Sequence, residues 1–216
     1  MDRYTRPEWK KSALVSIDVQ RDFIIPGTPL CHADTPEALA SMHRLTSAYR
    51  EWRLPIVHVV RLYKEDGSNV DLCRRSVIEG GKKMAAPGSR GSQPAVELLQ
   101  SEEVLIDSEI LLAGQLQAFG EAEWVIYKSR WGAFYKTILE EHLTGVGVNT
   151  IVLCGLNYPN CPRTAVFQAS ERDFRVVFVS DAVSGTYERG MQELGNIGVS
   201  VMTTDECLTE LNKSDT

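Results

Sequence analysis

The chain alternates short, β-branched apolar runs with longer segments of helical periodicity, and this alternation constrains its fold more than any other feature. The apolar runs predict six strands, at 12–19, 56–61, 123–128, 150–154, 175–180 and 199–203. Short runs without polar alternation are typical of strands buried on both faces. Strands separated by helices are joined by right-handed crossovers and form a parallel sheet. We therefore predict a three-layer, Rossmann-like α/β fold, in which a six-stranded, mainly parallel sheet has helices on both faces.

The segments between these strands predict helices of unequal clarity. The first runs to about residue 53, with Thr35 as N-cap and Pro36 at the first helical position. Others are predicted at 115–119, 133–143, 164–172 and 187–197. Residues 63–94 show no clear periodicity, which is typical of a functional lid or a mobile loop.

The size and charge of the chain limit its function. Its 216 residues carry a formal net charge of −6, and 43% of them are hydrophobic. This length fits one domain over 1–216, with a polar N-terminal arm at 1–11. The acidic balance argues against nucleic acid as a partner, and the apolar runs are too short to span a membrane. We expect a cytoplasmic protein whose five cysteines, which form no CxxC pair, are reduced thiols.

The segment 151–165 joins a predicted strand to a cysteine at the start of a helix. The strand ends at Gly155, a turn follows, and Cys161-Pro162 opens the next helix. Backbone N–H groups and the positive end of a helix dipole favour a thiolate at such a position. We interpret Cys161 as a nucleophile. The alternative is that it is a small buried apolar residue, which is common for a lone cysteine.

Two further residues lie at the carboxyl ends of predicted strands. Asp18 is near the end of the first strand and Lys128 ends the third. Parallel strands end at one edge of a sheet, so these residues and Cys161 should converge there. A carboxylate can take the thiol proton, a lysine balances the charge, and N–H groups of the following turn can bind an oxyanion. The combination predicts attack on an amide carbonyl and a thioester intermediate.

Four segments together resemble the isochorismatase-like cysteine hydrolases, a family that includes nicotinamidases, N-carbamoylsarcosine amidase and ureido-amide hydrolases. The matching segments lie at 17–23, 128–134, 155–161 and 180–183, and the resemblance covers nearly the whole chain. It implies that Asp18 is the base, Lys128 the charge-stabilising member and Cys161 the nucleophile.

The same resemblance implies a cis peptide bond between Leu156 and Asn157. It also implies an oxyanion hole made by the N–H groups of Asn157 and Cys161. Members of the family are commonly homodimers or homotetramers, so we expect a homo-oligomer in which 63–94 can contribute to a neighbouring pocket. A monomeric mass by light scattering would contradict this expectation.

The chain departs from nicotinamidases in the region of the second strand. Those enzymes carry an Asp-x-His metal site there, whereas this chain reads His58-Val59-Val60-Arg61 and supplies no such pair downstream. We therefore expect no metal and no cofactor. A thiol at position 161 favours cleavage of a C–N bond in a small amide or carbamoyl compound. The alternatives are an isochorismatase-type vinyl ether hydrolase and a non-catalytic relative that binds a small ligand.

Substrate contacts are predicted from aromatic and arginine side chains near the site loops. Aromatic residues beside such loops often line pockets, and arginine binds carboxylates with two parallel hydrogen bonds. The candidates are Phe23, Arg61, Trp131, Tyr158 and Arg163, with Arg74 and Arg75 as further possible carboxylate ligands. The alternative for the aromatic residues is that they pack the loops, and for the arginines that they are solvated surface charges.

Overall fold

The computed structural model describes residues 2–28, 30–101 and 103–213. Within them one sheet contains seven strands: β1 (Ser12–Ile17), β2 (Ile56–Val60), β3 (Gln117–Gly120), β4 (Glu123–Tyr127), β5 (Thr150–Gly155), β6 (Arg175–Val183) and β7 (Ser200–Met202). Their order across the sheet is β3-β4-β2-β1-β5-β6-β7. Every neighbouring pair is parallel except β3 and β4.

Helices cover both faces of this sheet. They are α1 (Thr35–Glu51), α2 (Leu72–Glu79), α3 (Ser108–Leu112), α4 (Leu139–Gly145), α5 (Cys161–Ser170), α6 (Glu188–Asn196) and α7 (Thr204–Lys213). Buried residues of α1 and α7 share one apolar cluster with Leu14 of β1. Those of α4, α5 and α6 share the other with Ala13 and Val15. Alternate side chains of a strand thus enter opposite layers, and the predicted three-layer α/β fold is confirmed.

The predicted count of six strands is wrong, because 117–120 forms a seventh strand where we expected a helix. Its residues alternate between half-buried and exposed, and Ala118 pairs with Trp124 of the antiparallel β4. Phe119 packs against a small cluster that includes Val125. Glutamine, leucine and alanine are good helix formers, but pairing with a neighbouring strand overrides such a weak local preference.

Two other segments also differ from expectation. The helix predicted at 133–143 begins only at Leu139, because the loop before it is held by Gln168, whose side chain accepts a hydrogen bond from Phe134 N–H. The irregular segment 63–94 contains a helix, α2, and a short 3-10 turn at Arg90–Ser92. In the described part of the N-terminal arm, Trp9 is buried against the core.

The strand order sets the position of the site. From β1 the chain moves to β2 on one side, whereas from β5 it moves to β6 on the other side. Ligands of open α/β sheets bind at such a switch point, beyond the carboxyl ends of the strands. Gly155 ends β5 with φ 135°, and a Cβ there would lie 2.3 Å from the carbonyl oxygen of Ile17. Only glycine permits this close approach of β5 to β1.

Among the residues that the structure describes, no helix is both long enough and apolar enough to cross a membrane.

Candidate active site

Four adjacent strands, β4, β2, β1 and β5, end around one buried cluster of polar side chains. Lys128, Arg61 and Asp18 each follow the last residue of a strand, and Cys161 begins α5 after the turn that leaves β5. All four side chains are buried. The cluster therefore follows from the sheet order, because the carboxyl ends of parallel strands share one edge.

Asp18 and Lys128 form a buried ion pair. Lys128 Nζ donates to Asp18 Oδ2 at 2.7 Å and to the carbonyl of Arg130 at 3.3 Å. Lys128 is fully buried and Asp18 is 5% exposed. The second oxygen, Asp18 Oδ1, is buried and has no hydrogen-bond partner among the described residues. Asp18 therefore has one oxygen fixed by the lysine and one available for another proton donor.

The thiol of Cys161 lies beside this carboxylate. Burial raises the pKa of Cys161, and the charge of Asp18 raises it further, while Lys128 and Arg61 act in the opposite direction. The expectation that the surroundings of Cys161 favour a thiolate is therefore corrected, because the pKa of the thiol is raised rather than lowered. Burial and a neighbouring anion outweigh the two cations.

Arg61 joins the carboxylate, the thiol and a second acid. Its Nη2 lies 3.5 Å from Cys161 Sγ, its Nε lies 3.8 Å from Asp18 Oδ2, and its Nη1 donates to Asp71. The side chain of Gln20 hydrogen-bonds both the N–H and the carbonyl of Arg61. The backbone of Arg61 is thus held by Gln20 and its guanidinium by Asp71, with Nη2 directed toward the sulfur.

The turn between β5 and α5 presents two backbone N–H groups. The peptide bond between Leu156 and Asn157 is cis. The Asn157 side chain donates to the carbonyl of Leu30 and accepts from the hydroxyl of Ser184, which fixes the turn on both sides. Neither Asn157 N–H nor Cys161 N–H donates to an acceptor in the described ranges. Both groups remain available to a ligand at the start of α5.

A narrow cleft of about 20 Å³ opens onto this cluster. This volume holds little more than one water molecule, so only a small group fits beside the thiol in this conformation. The lining residues are Asp18, Phe23, Leu30, Arg61, Arg74, Leu156, Asn157, Asn160 and Cys161.

The five predicted substrate contacts are not all brought to this cleft. Phe23 and Arg61 line it. Trp131 lies beside it, with the guanidinium carbons of Arg61 and Arg74 at 5.5 Å and 4.6 Å from the centre of its ring. It supports the arginines rather than lining the cleft.

Tyr158 and Arg163 lie away from the cleft, and the prediction that they contact substrate is corrected. Tyr158 is fully buried, donates to the carbonyl of Gly190 in α6 and packs edge-on against Phe178. Arg163 donates to Glu193 on the surface. Both side chains contact α6 instead of the cleft.

Sequence reasoning missed Asp71 and treated Arg74 only as one of several arginines. Asp71 is buried just before α2 and accepts from Arg61, and it also accepts from the hydroxyl of Tyr63. An aspartate at a helix start normally indicates an N-cap, but the Asp71 side chain makes no capping hydrogen bond. An aspartate within an arginine-rich segment was the only local signal for Asp71 and Arg74.

The metal site of nicotinamidases would lie near the end of β2, where this chain has Arg61. In the described ranges no three His, Cys, Asp or Glu side chains are grouped so that they could hold a metal ion.

The sheet, the switch-point cleft and the buried thiol, carboxylate and lysine define a three-layer α/β protein with a polar cluster at the carboxyl edge of its sheet. The model of the isochorismatase domain matches residues 12–206, and the chain therefore belongs to the isochorismatase family of hydrolases. Its relatives include a probable inactive nicotinamidase of Arabidopsis thaliana, 28% identical over 94% of this chain and 97% of that protein. They also include an N-carbamoylsarcosine amidase of an Arthrobacter species, 23% identical over 94% of this chain and 72% of that protein. The crystal structure of an isochorismatase family protein from Desulfovibrio vulgaris is similar with a TM-score of 0.78 and 26% identity, over 94% of this chain and 97% of that chain.

Proposed function

We propose that this protein is a cysteine amidohydrolase that cleaves the C–N bond of a small amide or carbamoyl compound. The observation that carries the proposal is the position of Cys161 beside Asp18. The carboxylate is fixed through one oxygen by buried Lys128, while its other oxygen has no hydrogen-bond partner among the described residues. This second oxygen can take the thiol proton as sulfur attacks a carbonyl carbon.

The reaction has two halves. In the first, Asp18 takes the Cys161 proton as sulfur attacks the carbonyl carbon, and the proton then passes to the departing nitrogen, which leaves as ammonia or an amine. The acyl group remains on sulfur as a thioester. In the second half Asp18 takes a proton from water, water attacks the thioester, and the carboxylic or carbamic acid and the free thiol are released.

Two backbone N–H groups and two side chains stabilise the charges that develop in these steps. The N–H groups of Asn157 and Cys161 bind the oxyanion of the tetrahedral intermediate, a contribution that is typically worth a factor of about 10²–10³ in kcat for one donor. Lys128 holds Asp18 in place through both halves of the reaction. Arg61, with Nη2 at 3.5 Å from the sulfur, stabilises the thiolate as it forms.

The test is release of ammonia from a panel of small primary amides and ureido acids. Cys161→Ala should abolish release without loss of the folded state, because no other group here can form the thioester. Cys73→Ala is the matched control, since Cys73 is an exposed thiol on α2 and its removal should change nothing. Turnover by the Cys161→Ala protein at the wild-type rate would refute the proposal.

One observation favours a second candidate, a non-catalytic protein that binds a small ligand. The Arabidopsis relative with 28% identity is named a probable inactive nicotinamidase. Under this alternative the panel gives no ammonia, and no acyl adduct on Cys161 is found by mass spectrometry after rapid acid quenching. An isochorismatase-type ether hydrolase would instead act on a vinyl ether and retain activity without the thiol. The cytoplasmic location and the homo-oligomer remain parts of the proposal.

A further inference from the structure

We propose that the substrate is a small carboxylic acid that carries the scissile amide, and that Arg74 binds its carboxylate. This inference rests on the proposed function and names the substrate class of the same cleft. Arg74 lies on α2, in the segment that follows β2, and lines the cleft together with Cys161. One side of the cleft thus holds the nucleophile and another holds a guanidinium.

Arg74 is fixed in position but not fully paired. Its Nη1 donates to the hydroxyl of Tyr63 at 2.9 Å and lies 3.7 Å from Asp71 Oδ2. Its guanidinium carbon lies 4.6 Å from the centre of the Trp131 ring, a distance typical of stacking. Its Nη2 and Nε make no hydrogen bond to the described residues. About a fifth of the side chain is exposed. A preorganised guanidinium with two unused donors suits a carboxylate, which accepts two parallel hydrogen bonds.

The charges around the cleft also call for an anion. Three cations, Arg61, Arg74 and Lys128, face two carboxylates, Asp18 and Asp71. With Cys161 in its thiol form, one positive charge is left without a partner in this group. A substrate carboxylate at Arg74 balances it, whereas a neutral amide leaves it unbalanced.

Arg61 does not fill this role itself. It is 1% exposed, its Nη1 is held by Asp71, and its Nη2 faces the sulfur. Binding of a carboxylate there would separate the guanidinium from the thiol. Arg74 is therefore the specificity-determining cation, and Arg61 acts on the nucleophile.

Competing alkylation of Cys161 tests this division without knowledge of the substrate. Iodoacetate and iodoacetamide have nearly the same shape and react with the same thiolate, but only iodoacetate carries a carboxylate. The ratio of their rates, measured by mass spectrometry on the Cys161 peptide, is therefore independent of the thiolate fraction. We expect this ratio to exceed that of glutathione, and Arg74→Gln to lower it about tenfold, the effect of losing one charge-assisted hydrogen-bonded pair.

Two variants control for charge and for folding. Arg75→Gln removes the same charge from the next residue of α2, which does not line the cleft, and should lower the ratio less than twofold. Arg74→Lys keeps the charge but loses the planar pair of donors, and should lie between the wild type and Arg74→Gln. Thermal melting of each variant shows whether it is folded.

An unchanged ratio in folded Arg74→Gln, or an equal fall in Arg75→Gln, would overturn the assignment. Failure of iodoacetate to label Cys161 under conditions in which iodoacetamide does so would also count against it. These results are separate from ammonia release. If no ammonia is released but the ratio behaves as expected, the cleft binds anions without hydrolysis. If ammonia is released but Arg74→Gln leaves the ratio unchanged, the protein is an amidase for neutral substrates.

Discussion

Replacing Lys128 by methionine tests whether the buried ion pair is as tightly coupled as its geometry implies. Methionine has nearly the length of the lysine side chain, so no large cavity is left. The substitution removes the ammonium 2.7 Å from Asp18 Oδ2 and leaves the carboxylate buried without this partner. Removal of one partner of a buried pair costs about 3–5 kcal/mol of unfolding free energy. Because Arg61 Nε still lies 3.8 Å from the same oxygen, we expect the lower end, about 3 kcal/mol.

The double variant Asp18→Asn, Lys128→Met separates the charge from the packing. Replacing both charges by neutral groups of similar size is often close to neutral in stability. We therefore expect the double variant to recover about 2 kcal/mol of the loss. The coupling energy of the pair is this recovery plus the separate cost of Asp18→Asn, so it is at least as large. Lys64→Met, at an exposed lysine, is the control and should change stability by less than about 0.5 kcal/mol.

The assay is equilibrium unfolding in urea with linear extrapolation, in parallel with ammonia release. Both Lys128→Met proteins should be inactive, because Asp18 is either unsupported or absent. The reasoning would be refuted by a loss below about 1 kcal/mol in the single variant, or by a double variant as unstable as the sum of its single changes.

Two further outcomes are expected. Asp18→Asn should lower the pKa of Cys161, since Asp18 raises it, so iodoacetamide should label the thiol faster at neutral pH while hydrolysis falls by about 10²–10⁴; slower labelling would show that Asp18 promotes the thiolate at rest. Burial acts to raise the pKa of Glu123, but hydrogen bonds from His58 and Arg50 outweigh it and lower that pKa to about 2. Glu123 therefore adds stability above its ordinary value near 4.5 that is lost as the pH falls toward 2, and Glu123→Gln should flatten this part of a melting-temperature profile; an unchanged slope would contradict it.

The buried thiol, carboxylate and lysine could be predicted because each follows a recognisable strand pattern. The apolar runs before Asp18 and Lys128 and the strand-turn-helix pattern around Cys161 depend on local sequence alone. The seventh strand could not be predicted this way. Residues 117–120 favour a helix locally, and only β4 supplies the hydrogen bonds that make them a strand.

The sequence by itself determined the layered α/β fold and the edge of the sheet at which Asp18, Lys128 and Cys161 meet. These follow from the period of the apolar residues and from the rule that parallel strands end together. Only the tertiary structure decided the rest: that Asp71 fixes Arg61, that Arg74 rather than Arg163 faces the cleft, and that Cys161 favours its protonated form. Each of these depends on loop conformation and on burial among residues far apart in the chain, and the electrostatic balance of a buried group has no local pattern in a sequence.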